Sequence, residues 1–367
     1  MKNIPTWLKG LLILLAVYLF VFQRLPFYME VPGSAFSLDE MIEVNQEFSE
    51  DSGEFYITTV GIQQVTPMTA LTSVLPYRDL YSEQELFGDQ DFEEYDVIQQ
   101  YNMTSSSNTA IQVAFDAADR PYNLQYNGVY VLQVLEESDF ADDLEVGDTV
   151  TAVDGQSFQS SHEFIDYVSN LEVGQTIEIT YERDGEEHTA TGDLMVLESG
   201  LPGIGIGLAD NTSLQTDPEV EIHSAGIGGP SAGLMFSLQI YNQLIEEDIN
   251  SDLHIAGTGT ISPDGEVGRI GGIEKKIVAA DDAGADYFFA PDDEIPEEVL
   301  EVYPDIRSNY EIAAETAESI DTDMEVIPVQ TFSDALEFLQ QLEFEQAKTT
   351  ANLSLVEQPV IYERLIA

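Results

Sequence analysis

All 69 acidic residues of this chain lie beyond residue 29, and ahead of them Trp7 to Phe22 reads WLKGLLILLAVYLFVF, interrupted only by Lys9. The first segment is therefore a different material from the rest. With Ile4 to Leu25 included, the apolar run reaches about the 20 residues that a bilayer requires. Lys2 and Lys9 precede its centre and only Arg24 follows closely, which predicts the N-terminus inside and the bulk of the chain outside. The following RLPFYMEVPGSAF offers no small-x-small cleavage site, so residues 1–28 are expected to be a single-pass anchor in the plasma membrane rather than a cleaved signal. Trp7 and Tyr18 fit the two interfaces.

The remaining chain is long enough for two or three domains, and its 43% hydrophobic content excludes a disordered polymer. With 12 bases and a net charge of −57, its surface repels phosphate, which excludes nucleic acid as a partner. Two readings of the acidity stay open: adaptation to salt or external pH, and attraction of basic peptides. There is no cysteine, and His162, His188, His223 and His254 are too dispersed for a short-range zinc motif, so no metal or cofactor is expected. No G-x-x-x-x-G-K-[ST] occurs, which removes a P-loop and with it ATP. The GIGIG of residues 203–207 lacks the full dinucleotide fingerprint.

Residues 29–112 read as extended segments with a turn at Pro32-Gly33, a strand at 54–62, and helical periodicity over 66–110. SSSNTAIQVAFDAAD is expected to open a helix on Ser/Asn caps. Residues 113–198 form a compact unit: a strand NGVYVLQVL entered through Gly128, turns at Gly147-Asp148 and Asp154-Gly155, a capped helix in SSHEFIDYVSNL, and a hairpin turned at Asp184-Gly185. From 199 to 345 the pattern becomes α/β, with strands in GIGIGLA and VEIHSAG and a helix over 230–247. A turn at Asp264-Gly265, a helix GIEKKIVAADDAGA and a buried strand DYFFAP follow. Residues 346–367 form a tail.

The middle unit resembles a bacterial PDZ domain, through GVYV, the L-x-x-GD-x-V-x-x-VDG of residues 144–155 and the helix that follows. The resemblance implies that Gly128, Val129 and Tyr130 offer backbone amides to an extended peptide added as a strand, with the helix over 160–170 supplying a side-chain pocket.

In GIGGPSAGL, residues 226–234, a small serine stands where a long apolar-faced helix takes off. A serine hydroxyl needs a base to become a nucleophile. His223, eight residues earlier, is one candidate for that base. Lysine is the other: of five lysines only Lys275 and Lys276 lie in the folded part. Ile273, Lys276, Ile277 and Ala280 share one helical face, whereas Lys275 falls with Ala279 and Asp282 on a face that can be solvated. Lys276 is thus expected to point inward, where burial and helix N-termini lower its pKa. Backbone N–H groups around Gly229, Pro230 and Ser231 are expected to hold an oxyanion.

GPSAG followed by TGTISPDGEVGRIGGIEKKIVAA resembles the proteolytic domain of the Lon family of serine proteases. The resemblance implies Ser231 as nucleophile, Lys276 as general base, and Thr258 as the threonine that helps orient the lysine. It places a small insertion near EEDINSD. The expected fold class is α/β (α+β): a Lon-type proteolytic domain, a small β-rich PDZ domain and an N-terminal transmembrane helix, a layout similar to the membrane-bound PDZ/Lon-like peptidases of Gram-positive bacteria. Strand 54–62 is expected to complete the protease, leaving the PDZ unit as an insertion. The implied function is an ATP-independent extracellular serine endopeptidase on peptide or unfolded-protein substrates, exported signalling peptides among them, with room for an oligomer. The rival is a non-catalytic PDZ adaptor at the membrane.

Overall fold

The computed structural model describes residues 5–49, 53–88, 90–224, 226–245 and 248–356. Helix α1 (Thr6–Phe22) precedes strands β1 (Phe27–Ser37), β2 (Glu54–Gln64) and β3 (Asp79–Ser82) and the long helix α2 (Phe92–Ala117). The middle contains β4 (Tyr122–Val134), β5 (Thr149–Val153), helix α3 (Ser161–Ser169), β6 (Thr176–Arg183), β7 (Glu186–Asp193) and β8 (Ile206–Thr216). The last part alternates through α4 (Gly233–Leu244), β9 (His254–Gly257), α5 (Ile273–Asp282), β10 (Tyr287–Pro291), α6 (Asn309–Ile320), β11 (Glu325–Val329) and α7 (Phe332–Val356).

Two sheets organise these elements. The larger runs β11-β10-β9-β2-β1-β3. β9 lies parallel to both β2 and β10, with Ile255 opposite Phe55 and Tyr287. The strand expected at 54–62 therefore stands at the centre of the sheet that carries the C-terminal strands. β9 and β10 place Ile255, Phe288 and Phe289 in the interior, where full burial of each side chain contributes about 1.5–3 kcal/mol. The smaller sheet runs β8-β4-β5-β6-β7 and closes over Val129, Phe140, Phe164 and Ile177, with α3 contributing Phe164 and Val168 from one face.

The segment read as an anchor forms α1, 17 residues with no buried member. Among the described residues no helix is long and apolar enough to cross a membrane. The ends explain the shortfall. Pro5 starts the helix, the backbone is extended at Gln23, and the Leu25 N–H donates to the Val65 carbonyl at 2.8 Å. Residues expected to lengthen the span are thus drawn into the fold. Lys2 and Ile4 lie outside the described residues.

Local expectations are corrected at three places. Pro32-Gly33 is no turn: β1 continues through it, with a register shift against β2 between Pro32 and Ala35. Ser105 to Asn108 do not cap a helix but lie inside α2, which starts earlier because Asp91 accepts from the N–H groups of Glu93 and Glu94. Helix α4 is shorter than 230–247 at both ends, and Glu246 and Glu247, where an insertion was expected, lie outside the described residues. Asp184-Gly185 and Gly265 adopt the positive φ that the turns expected there need, and the Thr331 hydroxyl accepts from the Asp334 N–H at the start of α7.

Candidate active site

Lys276 Nζ lies 3.0 Å from Ser231 Oγ and 2.7 Å from the backbone carbonyl of Thr58. Three separated segments meet here: the loop before α4, the first turn of α5, and β2 at the sheet centre. The lysine is 4% exposed, and desolvation lowers its pKa from the usual 10.5 to about 7. A neutral amine can donate one N–H to Thr58 O and still present a lone pair to the serine hydroxyl. The pair opens on a cleft of about 820 Å³, lined on the apolar side by Phe36, Ile62, Phe92 and Met103.

The serine is held by its backbone. Its carbonyl accepts from the Gly259 N–H at 2.9 Å and from the Thr258 hydroxyl at 3.0 Å. Thr258 therefore positions Ser231, not the lysine as expected; Thr58, which sequence reasoning missed, is the lysine's partner. Helix α2 braces the same loop from the other side. Gln99 O accepts from the Gly229 N–H at 2.8 Å, and the Ser106 hydroxyl donates to Pro230 O at 2.9 Å. A side chain could not replace Gly228, where a Cβ would stand 2.7 Å from Gln99 Cβ, and Gly229 has φ +93°. Because the Gly229 N–H is taken and Pro230 has none, the amides of Ser231 and Ala232 are the ones left for an oxyanion. His223 is remote from this arrangement: its Nε2 lies 3.0 Å from Glu43 Oε1, and it does not line the cleft.

Lys275 departs from expectation. It is 1% exposed, with Nζ 2.5 Å from Asp79, 2.7 Å from Glu274 and 3.4 Å from Glu30. Burial alone lowers its pKa, but hydrogen bonds to Asp79 and Glu274 outweigh that and hold it well above the ordinary lysine value. The face of α5 expected to meet solvent is instead covered by acids from β1 and the edge strand β3.

Comparison with known proteins now bears on this geometry. A family model described as the Lon protease C-terminal proteolytic domain matches residues 212–337, and a PDZ domain model matches residues 110–194. Over residues 212–337 the chain is thus similar to a Lon-type proteolytic domain. That homology supports a serine peptidase. The Lon protease of Campylobacter jejuni is 31% identical over 110 residues, covering 30% of this chain and 12% of that protein. The Lon protease of the aster yellows witches'-broom phytoplasma is 26% identical over 170 residues, covering 43% of this chain and 19% of that protein. The chain thus spans under a fifth of the length of these curated relatives. Among solved structures, the PDZ domain of an SdrC-like protein from Listeria monocytogenes is 42% identical, covering 23% of this chain and 90% of that one, with a TM-score of 0.22. Its counterpart from Listeria innocua is 45% identical, covering 22% and 92%, also with a TM-score of 0.22.

Between the N-terminal strands and the Lon-type domain, the PDZ unit does not offer the amides expected of it. Gly128 stands opposite Asn211, Val129 opposite both Val150 and Asp210, and Tyr130 opposite both Thr149 and Ala209. Both edges of Val129 and Tyr130 are taken because the GIGIGLA segment, read as part of the α/β region, returns to this sheet as β8. β8 is the terminal strand, beside α3, and the Ser161 N–H donates to Asp210 Oδ1 at 2.7 Å. The carbonyls of Asp210 and Thr212 face away from β4, accepting from the Tyr101 hydroxyl and the Asn108 amide of α2. By the two-residue alternation of a strand, Ile206 and Leu208 face the same way, and they form the open edge.

Proposed function

We propose that this chain is a serine endopeptidase in which Ser231 is the nucleophile and Lys276 the general base. The observation that carries the reading is the 3.0 Å contact between a hydroxyl and an amine whose burial brings its pKa to about 7. Neutral Lys276 takes the Ser231 proton as Oγ attacks the scissile carbonyl, and the amides of Ser231 and Ala232 receive the developing oxyanion. The ammonium then protonates the leaving amine, and a water activated by the restored amine releases the acyl group. The reaction is proposed to run without ATP, because the groups it uses, Ser231, Lys276 and the loop amides, already meet in one cleft. Peptide or unfolded protein is the proposed substrate, presented along the open edge at Ile206 and Leu208 as an added strand.

Attachment to a membrane through α1, with the catalytic part outside the cell, belongs to the same proposal. Trp7 is 71% exposed and the helix buries none of its residues, an apolar surface that water does not favour. The decisive test of the chemistry is Ser231→Ala in the full chain. Peptide cleavage and labelling by a fluorophosphonate should both vanish while thermal unfolding stays cooperative. Retained turnover in a protease-free preparation would remove Ser231 as the nucleophile, whereas absence of turnover and of labelling in the wild-type chain would leave the PDZ adaptor reading.

A further inference from the structure

Lys275 gathers carboxylates from three parts of the chain: Glu30 on β1, Asp79 on β3 and Glu274 on its own helix. Glu30 and Asp79 face each other in the β1–β3 ladder, and Glu30 also lines the cleft that holds Ser231 and Lys276. Tyr81 on β3 completes the group, its phenol raised first by burial and then by the charges of Glu30 and Asp79. Strand β2 lines the cleft with the uncharged Ile57, Thr58, Thr59, Val60 and Ile62, and Asp96 and Arg269 are the other charged residues of its lining. The backbone N–H groups of Lys275 and Lys276 both donate to Gly272 O, at 3.0 and 3.2 Å, so the two lysines share one helical turn.

We propose that Lys275 is a positioning residue for the neighbouring base: its ammonium ties β1 and the edge strand β3 to the first turn of α5 and offsets the carboxylate charge that Glu30 brings to the cleft lined by Lys276. This rests on the reading of Lys276 as general base. One ammonium against three carboxylates leaves a local charge of −2, and without Lys275 it becomes −3. Extra negative charge favours the protonated form of Lys276 and so removes the base at neutral pH. An inert buried cation would instead affect folding alone, since breaking a buried ion pair leaves uncompensated charge.

The two roles separate in the pH–rate profile of the full chain on a short peptide. Lys275→Met should move the midpoint of the rising limb up by about one unit, with a rate loss near pH 7 that recovers at higher pH. Asp79→Asn, at a half-exposed position, should move it the other way, because one carboxylate is removed while Lys275 stays. Lys275→Arg keeps the charge and should keep the midpoint. Unmoved midpoints in folded Lys275→Met and Asp79→Asn overturn the proposal while leaving the Ser–Lys reading intact. If Lys275→Met does not fold, the acid shift in Asp79→Asn decides alone. A wild-type rate with no titration near neutrality, together with an active Lys276→Met, overturns the base assignment itself and this proposal with it.

Discussion

The Thr58 carbonyl accepts a 2.7 Å hydrogen bond from Lys276 Nζ across 218 residues of sequence. The N-terminal strands and the α5 helix are thus two halves of one site, and the PDZ unit lies in the chain between them. Parallel pairing of β2 with β9 makes this possible, since it fixes Thr58 beside the end of the strand that leads to Thr258. The carbonyl orients the amine without charging it. A carboxylate in that place would stabilise the ammonium and work against the base.

The depressed pKa of Lys276 makes both rate and stability depend on pH, with defined signs. The peptidase rate should rise through about pH 7 as the neutral amine becomes populated. Lys276→Met and Lys276→Arg should both be inactive, the latter because guanidinium stays protonated. Folded Lys276 loses its proton near 7 and unfolded Lys276 near 10.5, so the unfolded chain binds more protons between those values. The contribution of this residue to stability therefore increases with pH across that window. Lys276→Met should raise the Tm, and by more at pH 6 than at pH 9. A Tm difference independent of pH would contradict burial of the amine.

Thr58 and Thr258 are predicted to differ because one acts through its backbone and the other through its side chain. Thr58→Val keeps the carbonyl and loses only a marginal 3.5 Å bond from its hydroxyl to Gly257 O, so activity should stay within about twofold of wild type. Thr258→Val removes one of two donors to Ser231 O, worth about 1 kcal/mol, and kcat should fall roughly fivefold to tenfold with KM little changed. Equal losses in the two variants would show that Thr58 contributes through its side chain. Steady-state kinetics on one model peptide measures both.

What could be read from the sequence here was whatever a side-chain pattern records. The apolar companions Ile273, Ile277 and Ala280 pointed Lys276 inward, and Gly/Pro spacing marked the loop that carries Ser231. Thr58 left no such mark, because its working atom is a carbonyl common to every residue. Lys275 was misread for a different reason. Helical periodicity assigns a residue to a face, but it does not report that a second layer, here Glu30 and Asp79, covers that face. The capping of α2 shows the same limit: Ser and Asn at 105–108 carry a cap signal, yet Thr104 and Thr109 spend their hydroxyls on carbonyls one helical turn back.

The displaced PDZ edge gives the last prediction. If substrate adds to β8, the N–H of Leu208, placed on the outer side by the alternation along the strand, is the donor to the peptide. Leu208→Pro removes that donor at a terminal strand, where proline is tolerated, and should weaken capture of an extended peptide about tenfold or more. Val129 lies in the interior of the same sheet with both edges paired, so Val129→Ala should lower Tm through a lost core contact while peptide affinity stays near wild type. Calorimetric titration of the full chain with a short apolar peptide, read beside thermal unfolding, separates the two effects. Cleavage of a long substrate should fall with Leu208→Pro, whereas cleavage of a short peptide that reaches Ser231 unaided should not. Undiminished capture by Leu208→Pro would show that the peptide docks elsewhere than the open edge of β8.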